Sequence, residues 1–444
     1  MRLPSSTHIF AGPVARGATI SLVIRVTGIG IVMIQAILTA RLLGPEGYGT
    51  IAFLLSLSSI FATIVLLGTE SLAVREVARL LTQNDWPGLK GFLGTTRFAV
   101  IAAGLIGALL WVVIAVFVLP ERRNGAWIEY AVFAALIFPL IALNLQTQAV
   151  LRGYGLVAIS QIPQVILRPF VLVAFLSMAW ISSWQIGPGT YLSAVFLANL
   201  IALSLGLFVL HSTTTMLREV AAETPRIGML AQAATPFMMI GLLGVLLGEI
   251  NTLMLMWWGN AEQTGLFQPL ARITPLLMLS MQAISVRYAP RITELWTAGE
   301  TTRLTDVTRK VTLTTTGFTA LSAAALLFLA EPVLGLFGRE FTVNAHALWW
   351  LAGAQVVNAA CGPAGLLLTM SGHASRAVGP QVLGLAVNLA LGALLIPERG
   401  AEGAAIAMAG GITAWNLAML VLVVRRVGFD PSLFGSVYAG NGLR

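Results

Sequence analysis

Long apolar runs recur along this 444-residue chain with only short polar breaks between them, and this recurrence constrains the fold more than any other feature. The runs lie near 18–40, 50–69, 92–119, 127–150, 156–181, 188–210, 228–257, 264–286, 311–330, 345–370, 375–396 and 403–424. Each is long enough for a helix to cross a hydrocarbon core, which takes about 20 residues. A soluble domain has no interior for so many such segments. Hydrophobic residues make up 57% of the chain and charged residues 10%, against about 25% charged in an ordinary soluble domain. Inside a bilayer every backbone N–H and C=O must find a partner within the protein, and helices provide one. The expectation is an all-α, polytopic membrane protein of about 12 transmembrane helices with both termini on one side.

The basic residues choose the side. With a cytoplasmic N-terminus, eighteen of the 26 lysines and arginines fall in inside segments, and five, Arg41, Arg122, Arg123, Arg339 and Arg399, fall outside. Cytoplasmic loops carry this excess in membrane proteins, so both termini are expected in the cytoplasm. The net charge of +8 is thereby accounted for, and no nucleic-acid partner is implied. The polar Met1–Arg16 segment and the long run after it read as a retained helix rather than a cleaved signal. The single cysteine, Cys361, cannot form an intrachain disulfide. The connectors 70–91 and 287–310 look amphipathic. Leu72, Arg75, Glu76, Arg79 and Leu80 are suited to lie along the headgroup plane or to form a solvated connector. Trp111, Trp184, Trp257, Trp258, Trp349 and Trp350 fall near span ends and read as interface anchors.

The chain also repeats itself at an offset of 212–217 residues. Val74-Arg75 with Arg79 recurs as Val286-Arg287 with Arg291. Arg97 recurs as Arg309, Gly155 as Gly372, Pro163-Gln164-Val165 as Pro380-Gln381-Val382, and Asn199-Leu200 as Asn416-Leu417. Two homologous halves follow, 1–217 and 218–444, each a six-helix lobe. Six is even, so both halves start from the cytoplasmic side, as a parallel repeat does. The expected architecture is two pseudo-symmetric lobes around a central cavity, with a substrate site where the repeats face each other. Prolines inside spans, among them Pro139, Pro163, Pro169, Pro236, Pro269 and Pro275, would free backbone groups that only protein or water can satisfy.

The stretch Ala40-Arg41-Leu42-Leu43-Gly44-Pro45-Glu46-Gly47-Tyr48-Gly49 resembles the first signature of the polysaccharide and O-antigen flippases. These belong to the multidrug/oligosaccharidyl-lipid/polysaccharide exporter superfamily. Gly259 through Gly265-Leu266-Phe267 to Arg272 is similar to the family's second-half pattern. So are Leu336-Phe337-Gly338-Arg339-Glu340-Phe341, Gly372-His373 and Pro397 to Ala407. The resemblance spans nearly the whole chain. It implies a transporter, not an enzyme, in the bacterial plasma (inner) membrane. Such a transporter moves a polyprenyl-diphosphate-linked oligosaccharide to the outer leaflet by alternating access. The family often carries an acidic residue in mid-span 7. Asn251 stands near that place here, with Glu249 two residues earlier.

Charges within the spans are the candidate site residues, since a charge at the bilayer centre costs about 2.5–3.5 kcal/mol. Arg168 lies near the middle of span 5, with Gln161 and Gln164 on its helical face at i−7 and i−4. Arg272 lies in the outer half of span 8, with Gln268 and Gln282 on its face. Arg25 lies near the cytoplasmic end of span 1, with Gly28, Gln35 and Thr39 continuing its face. Glu249 can titrate for ion coupling, together with Asn251, or pair with Arg272. Three arginines against one glutamate give an interior suited to a diphosphate, which guanidinium forks bind bidentately.

Enzyme signatures are missing. His8, His211, His346 and His373 are scattered without metal-ligand spacing, and no phosphate-binding P-loop occurs. No metal or cofactor is expected. The expected partners are the lipid-linked glycan, membrane lipids, and a polysaccharide polymerase with its export machinery. The competing readings are a cation-coupled multidrug exporter of the same superfamily and a membrane glycan polymerase or transferase.

Overall fold

A computed structural model of the chain describes residues 13–117, 125–223, 227–371 and 374–435. Residues 1–12 of the N-terminal polar segment, Arg122, Arg123, Arg226, Gly372, His373 and Arg444 lie outside the described residues. So do the side chains of Gln282, Val286 and Arg287.

Among the described residues, nine helices are long and apolar enough to cross a membrane. Two of them are double. Helix α1 (Pro13–Val65) is broken at Gly44, whose φ is 65° and ψ −180°. That region of backbone space is essentially reserved for glycine, and Pro45 after it disfavours helical geometry at Gly44. Helix α15 (Val378–Val427) is broken in the same way at Gly400, with φ 52° and ψ −125°. The two breaks divide the first and last helices into the four spans expected there.

The expected span 264–286 is not one helix. It is α9 (Ala261–Ile273), a 3₁₀ turn (Thr274–Met278) and α10 (Leu279–Thr297). Pro275 sits at the start of the turn, where its missing N–H does least damage. Helix α10 then continues beyond 286, so the expected connector 287–310 is helical at both ends, with α11 (Thr301–Phe328) following.

The chain packs as two compact units, Met1–Leu43 with Leu54–Val245, and Gly44–Phe53 with Leu246–Arg444. The repeat halves are defined by sequence order, whereas these units are defined by packing.

The first unit contains α2 (Thr69–Thr82), α3 (Trp86–Phe117), α4 (Gly125–Gly153), α5 (Val157–Gln161), α6 (Arg168–Ile181) and α7 (Pro188–Thr213). Helix α2 does not lie free along a headgroup plane. Its apolar face, Leu72, Ala73, Val77 and Leu80, is buried against Leu89 and Phe92 of α3 and Ala149, Val150 and Leu151 of α4. Each leucine so buried contributes about 1.5–3 kcal/mol relative to exposure in water. A glycine at 153 permits the close approach, since a Cβ there would stand 2.7 Å from the Val77 side chain. Glu70 and Arg152 pair across α2 and α4 at 2.7 Å. Trp111 also departs from expectation. It is 7% exposed, its indole donates to the Ala131 carbonyl at 2.9 Å, and Phe61 packs on it. The other five tryptophans named above are exposed, as interface anchors are.

The second unit contains the end of α8 (Ile227–Trp258), then α9, α10, α11, α12 (Ala330–Gly335), α13 (Ala347–Ala360), α14 (Ala364–Met370) and α15. Here the two glycine-rich turns meet. A Cβ at Gly49 would collide with the backbone of Ala261 and Gly265, and one at Gly265 with that of Pro45 and Gly49. Pro45 and Ala261, like Gly49 and Gly265, are repeat equivalents, so the contact is reciprocal. Tyr48 of the same turn packs edge-on to Phe341, which stacks with Phe337. The signature residues of both turns are thus packing residues.

The repeat also shows in local structure. Helix α2 ends with Asn84 at φ 54° and α10 with Gly299 at φ 70°. Each end is closed by the same bond: Asp85 N–H to Leu80 O and Glu300 N–H to Leu295 O, both 3.0 Å. Asn199 and Asn416 each donate to the carbonyl four residues back at 2.8 Å.

Candidate functional site

In the first unit the polar residues of the spans converge around a break in the fifth. Pro163 lies six residues into the helix that Val157 begins, where a proline removes one hydrogen bond and clashes with the preceding turn. The chain answers by widening. Ile162–Leu167 is a π-helical turn, and the Arg168 N–H donates to the Pro163 carbonyl five residues back. Single π turns of this kind concentrate at functional sites. The turn is flanked by Gln161 on one side and Arg168 on the other.

Helix α1 packs on this turn. A Cβ at Gly28 would stand 2.8 Å from the Val165 carbonyl oxygen, so only glycine fits the crossing. One turn earlier on α1, the Arg25 Nε donates to Gln161 Oε1 at 3.2 Å. Gln161 is 4% exposed, and its amide nitrogen donates to the Val157 carbonyl at 3.0 Å. The carboxamide is therefore fixed at both ends, and its oxygen orients the guanidinium. Arg25 itself is exposed. Further along α1, Gln35 donates to the Tyr191 hydroxyl at 2.9 Å. The Thr39 hydroxyl lies 3.4 Å from the same oxygen.

The structure distributes the expected face differently from a straight helix. Gln161 turns to α1. Gln164 lines a small crevice with Asn144, Gln148 and Ser160, whose volume of about 10 Å³ is close to that of one water. The wider π turn shifts residues after it around the axis, which is why i−7 and i−4 spacing no longer means one face. Arg168 is half-buried at the start of α6.

In the second unit, Gln268 is 4% exposed and donates to the Thr252 hydroxyl at 3.2 Å. Next to Thr252, Asn251 is 1% exposed. Neither its amide nitrogen nor its oxygen has a hydrogen-bond partner among the described residues. A buried amide of this kind costs about 1–3 kcal/mol. Glu249 is half-buried and Arg272 is exposed.

Sequence reasoning missed Tyr191 and Thr252. Tyr191 carried a signal: it is the one tyrosine of its span, and a buried phenol needs a partner. Thr252 carried none, because threonine is common in these helices.

The fold is that of known transporters. The inward-facing form of a multidrug resistance MATE family transporter of the MOP superfamily aligns with a TM-score of 0.72 at 14% identity, covering 92% of this chain and 98% of that one. The outward-facing form of a transporter so described aligns with a TM-score of 0.58 at 17% identity, covering 96% and 99%. A MOP superfamily transporter from Pyrococcus furiosus, described as having a binding pocket of reversed polarity, aligns with a TM-score of 0.60 at 15% identity, covering 96% and 99%. At such identities the likeness is one of fold. No curated protein gives a significant match. The family described as "Polysaccharide biosynthesis protein" matches residues 14–296. The chain therefore belongs to the polysaccharide biosynthesis protein family, as a multi-pass membrane protein with the MOP-transporter fold.

Proposed function

We propose that this protein is a non-enzymatic flippase. It moves a polyprenyl-diphosphate-linked oligosaccharide from the cytoplasmic to the outer leaflet of a bacterial plasma membrane, for polysaccharide export. Both termini are cytoplasmic in this reading, and a polymerase and export machinery act downstream. The observation that carries it is the Arg25 guanidinium, set by Gln161 at 3.2 Å beside a π turn that ends at Arg168. A cation held within a span and paired with a neutral amide keeps its charge for a ligand. Guanidinium is suited to a diphosphate, to which it donates in pairs. An amine-like drug would be repelled by the same group, so the multidrug reading does not fit this charge.

Membership of a polysaccharide biosynthesis family supports the glycan part of the substrate, and the fold supports alternating access. In this scheme Arg25 attracts the diphosphate, Arg168 and Arg272 contact it, and Gln35 and Gln164 complete the polar lining, whereas the buried Gln268 holds Thr252. Glu249 and Asn251 serve ion coupling.

The test is in a deletion strain of the native host. Lipid-linked oligosaccharides are extracted and their sidedness read with an impermeant glycan-modifying reagent. Complete units accumulate shielded in the cytoplasmic leaflet, and alanine at Arg25, Arg168 and Arg272 together fails to restore export. Normal export by that triple variant overturns the arginine assignment. An unchanged pool with ordinary sidedness overturns flipping of those glycans.

A further inference from the structure

Beside the Gln164 crevice, with which it shares Thr147, α3, α4, α7 and the segment after α7 line an open cavity of about 670 Å³ within the first unit. That is the size range of small-ligand sites, about 300–1,000 Å³. Its charged lining is of one sign: Lys90, Arg97 and Arg218, with His211 beside them and no carboxylate lining it among the described residues. Lys90 Nζ donates to the Arg218 and Val220 carbonyls at 3.1 and 2.6 Å, which clamps the segment after α7 over the cavity. The Arg218 guanidinium meets His211 Nε2. Neither contact is with a carboxylate, so neither cation is neutralised by an ion pair. Arg97, half-buried two turns along α3 from Lys90, has no hydrogen bond or ion pair among the described residues.

The apolar surroundings complete the pattern. Phe208 lines the cavity and is 68% exposed. From Arg97 onward, Phe98, Ile101, Leu105 and Leu109 form an exposed stripe along α3 at helical spacing. Cations at the end of a spanning helix, with a continuous apolar stripe running from them into the bilayer, match an amphiphile with an anionic head. The census of basic residues assigns this end of α3 to the cytoplasm.

We propose that this cavity binds the phosphodiester headgroup of an anionic glycerolipid of the inner leaflet. The Arg97 fork holds two phosphate oxygens, the remaining Lys90 proton and Arg218 add charge, and the acyl chains lie over Phe98 and Leu105. The inference goes beyond the transport reading and does not rest on it. A bound headgroup would tie α3 to α7 through the clamped segment.

The experiment uses the full-length protein in nanodiscs of phosphatidylglycerol and phosphatidylcholine, with retained lipid counted by native mass spectrometry. Polyprenyl diphosphate is added as a competitor in a third arm. Phosphatidylglycerol is expected to be retained over phosphatidylcholine. Arg97→Gln should weaken that retention about tenfold, the worth of one charge-assisted hydrogen bond. Arg97→Lys should restore part of it, and Arg25→Gln and Arg168→Gln should leave it unchanged. Should Arg97→Gln not fold, Arg218→Gln, which lies outside the helices, carries the same expectation. Equal retention of the two lipids, or undiminished retention by the variants, overturns the proposal. So does displacement of phosphatidylglycerol by polyprenyl diphosphate through Arg97, which would give the cavity to the transported lipid. Loss of export in the Arg25, Arg168 and Arg272 variant tests the transport reading separately.

Discussion

Asn251 is buried to 1% exposure with both amide atoms unpaired among the described residues. A residue kept only for packing would be better served by leucine, which has the same branched skeleton and no polar group to desolvate. Asn251→Leu is therefore expected to raise stability by about 1–3 kcal/mol, read as the thermal midpoint of the detergent-purified protein. The same variant is expected to lose export. A variant that is both more stable and fully active would remove Asn251 from the mechanism. The contrast with Gln268 is instructive, because its amide is already spent on Thr252 at 3.2 Å. Sequence reasoning placed Asn251 as a candidate from its place in the family pattern and Gln268 from its position on the helical face of Arg272. Polarity in a span is legible, but whether the partner is a protein group or a ligand is not.

At the scale of elements, one tripeptide has two outcomes. Pro163-Gln164-Val165 produces a π turn, whereas Pro380-Gln381-Val382 lies in undistorted α-helix. The difference is register. Helix α15 starts at Val378, so Pro380 falls in a first turn whose N–H groups have no partner in any case. Pro163 falls in its helix interior. Pro163→Ala is thus expected to straighten the fifth span, raise stability by up to about 3 kcal/mol, and lower export by misplacing Arg168 relative to Gln161. A straightened helix with export intact would show that the π turn is incidental; circular dichroism and sidedness assays read the two effects. The break at Gly44 behaves oppositely. Its backbone lies in a region that any Cβ strains, so Gly44→Ala should cost about 1–3 kcal/mol and reduce the folded yield in membranes. Unchanged thermal midpoints would count against that strain.

For the whole molecule, the single cysteine makes topology directly measurable. Cys361 is buried at 3% exposure, and in a Cys361→Ala background every label reports an introduced site. Gln83→Cys, in the turn after α2, is expected to react with an impermeant maleimide only after permeabilisation. Asn260→Cys, between α8 and α9, is expected to react in intact cells. Reversed labelling would invert the orientation given by the lysines and arginines.

The sequence by itself determined the all-helical membrane class, the order of the spans and the repeat, because hydrophobic length and helix periodicity are local properties that each segment carries alone. It also placed the family signatures at Ala40–Gly49 and Gly259–Arg272, although not their packing upon one another. Only the tertiary structure decided that Arg25 is set by Gln161 and Gln35 by Tyr191. It also showed that α2 buries its apolar face in protein, and that Lys90, Arg97 and Arg218 share one cavity. These pairings join residues 136, 156 and 128 apart in the chain. No periodicity encodes contacts at such separations, because they depend on where helix crossings, a glycine's missing Cβ and a π turn's extra width bring side chains together.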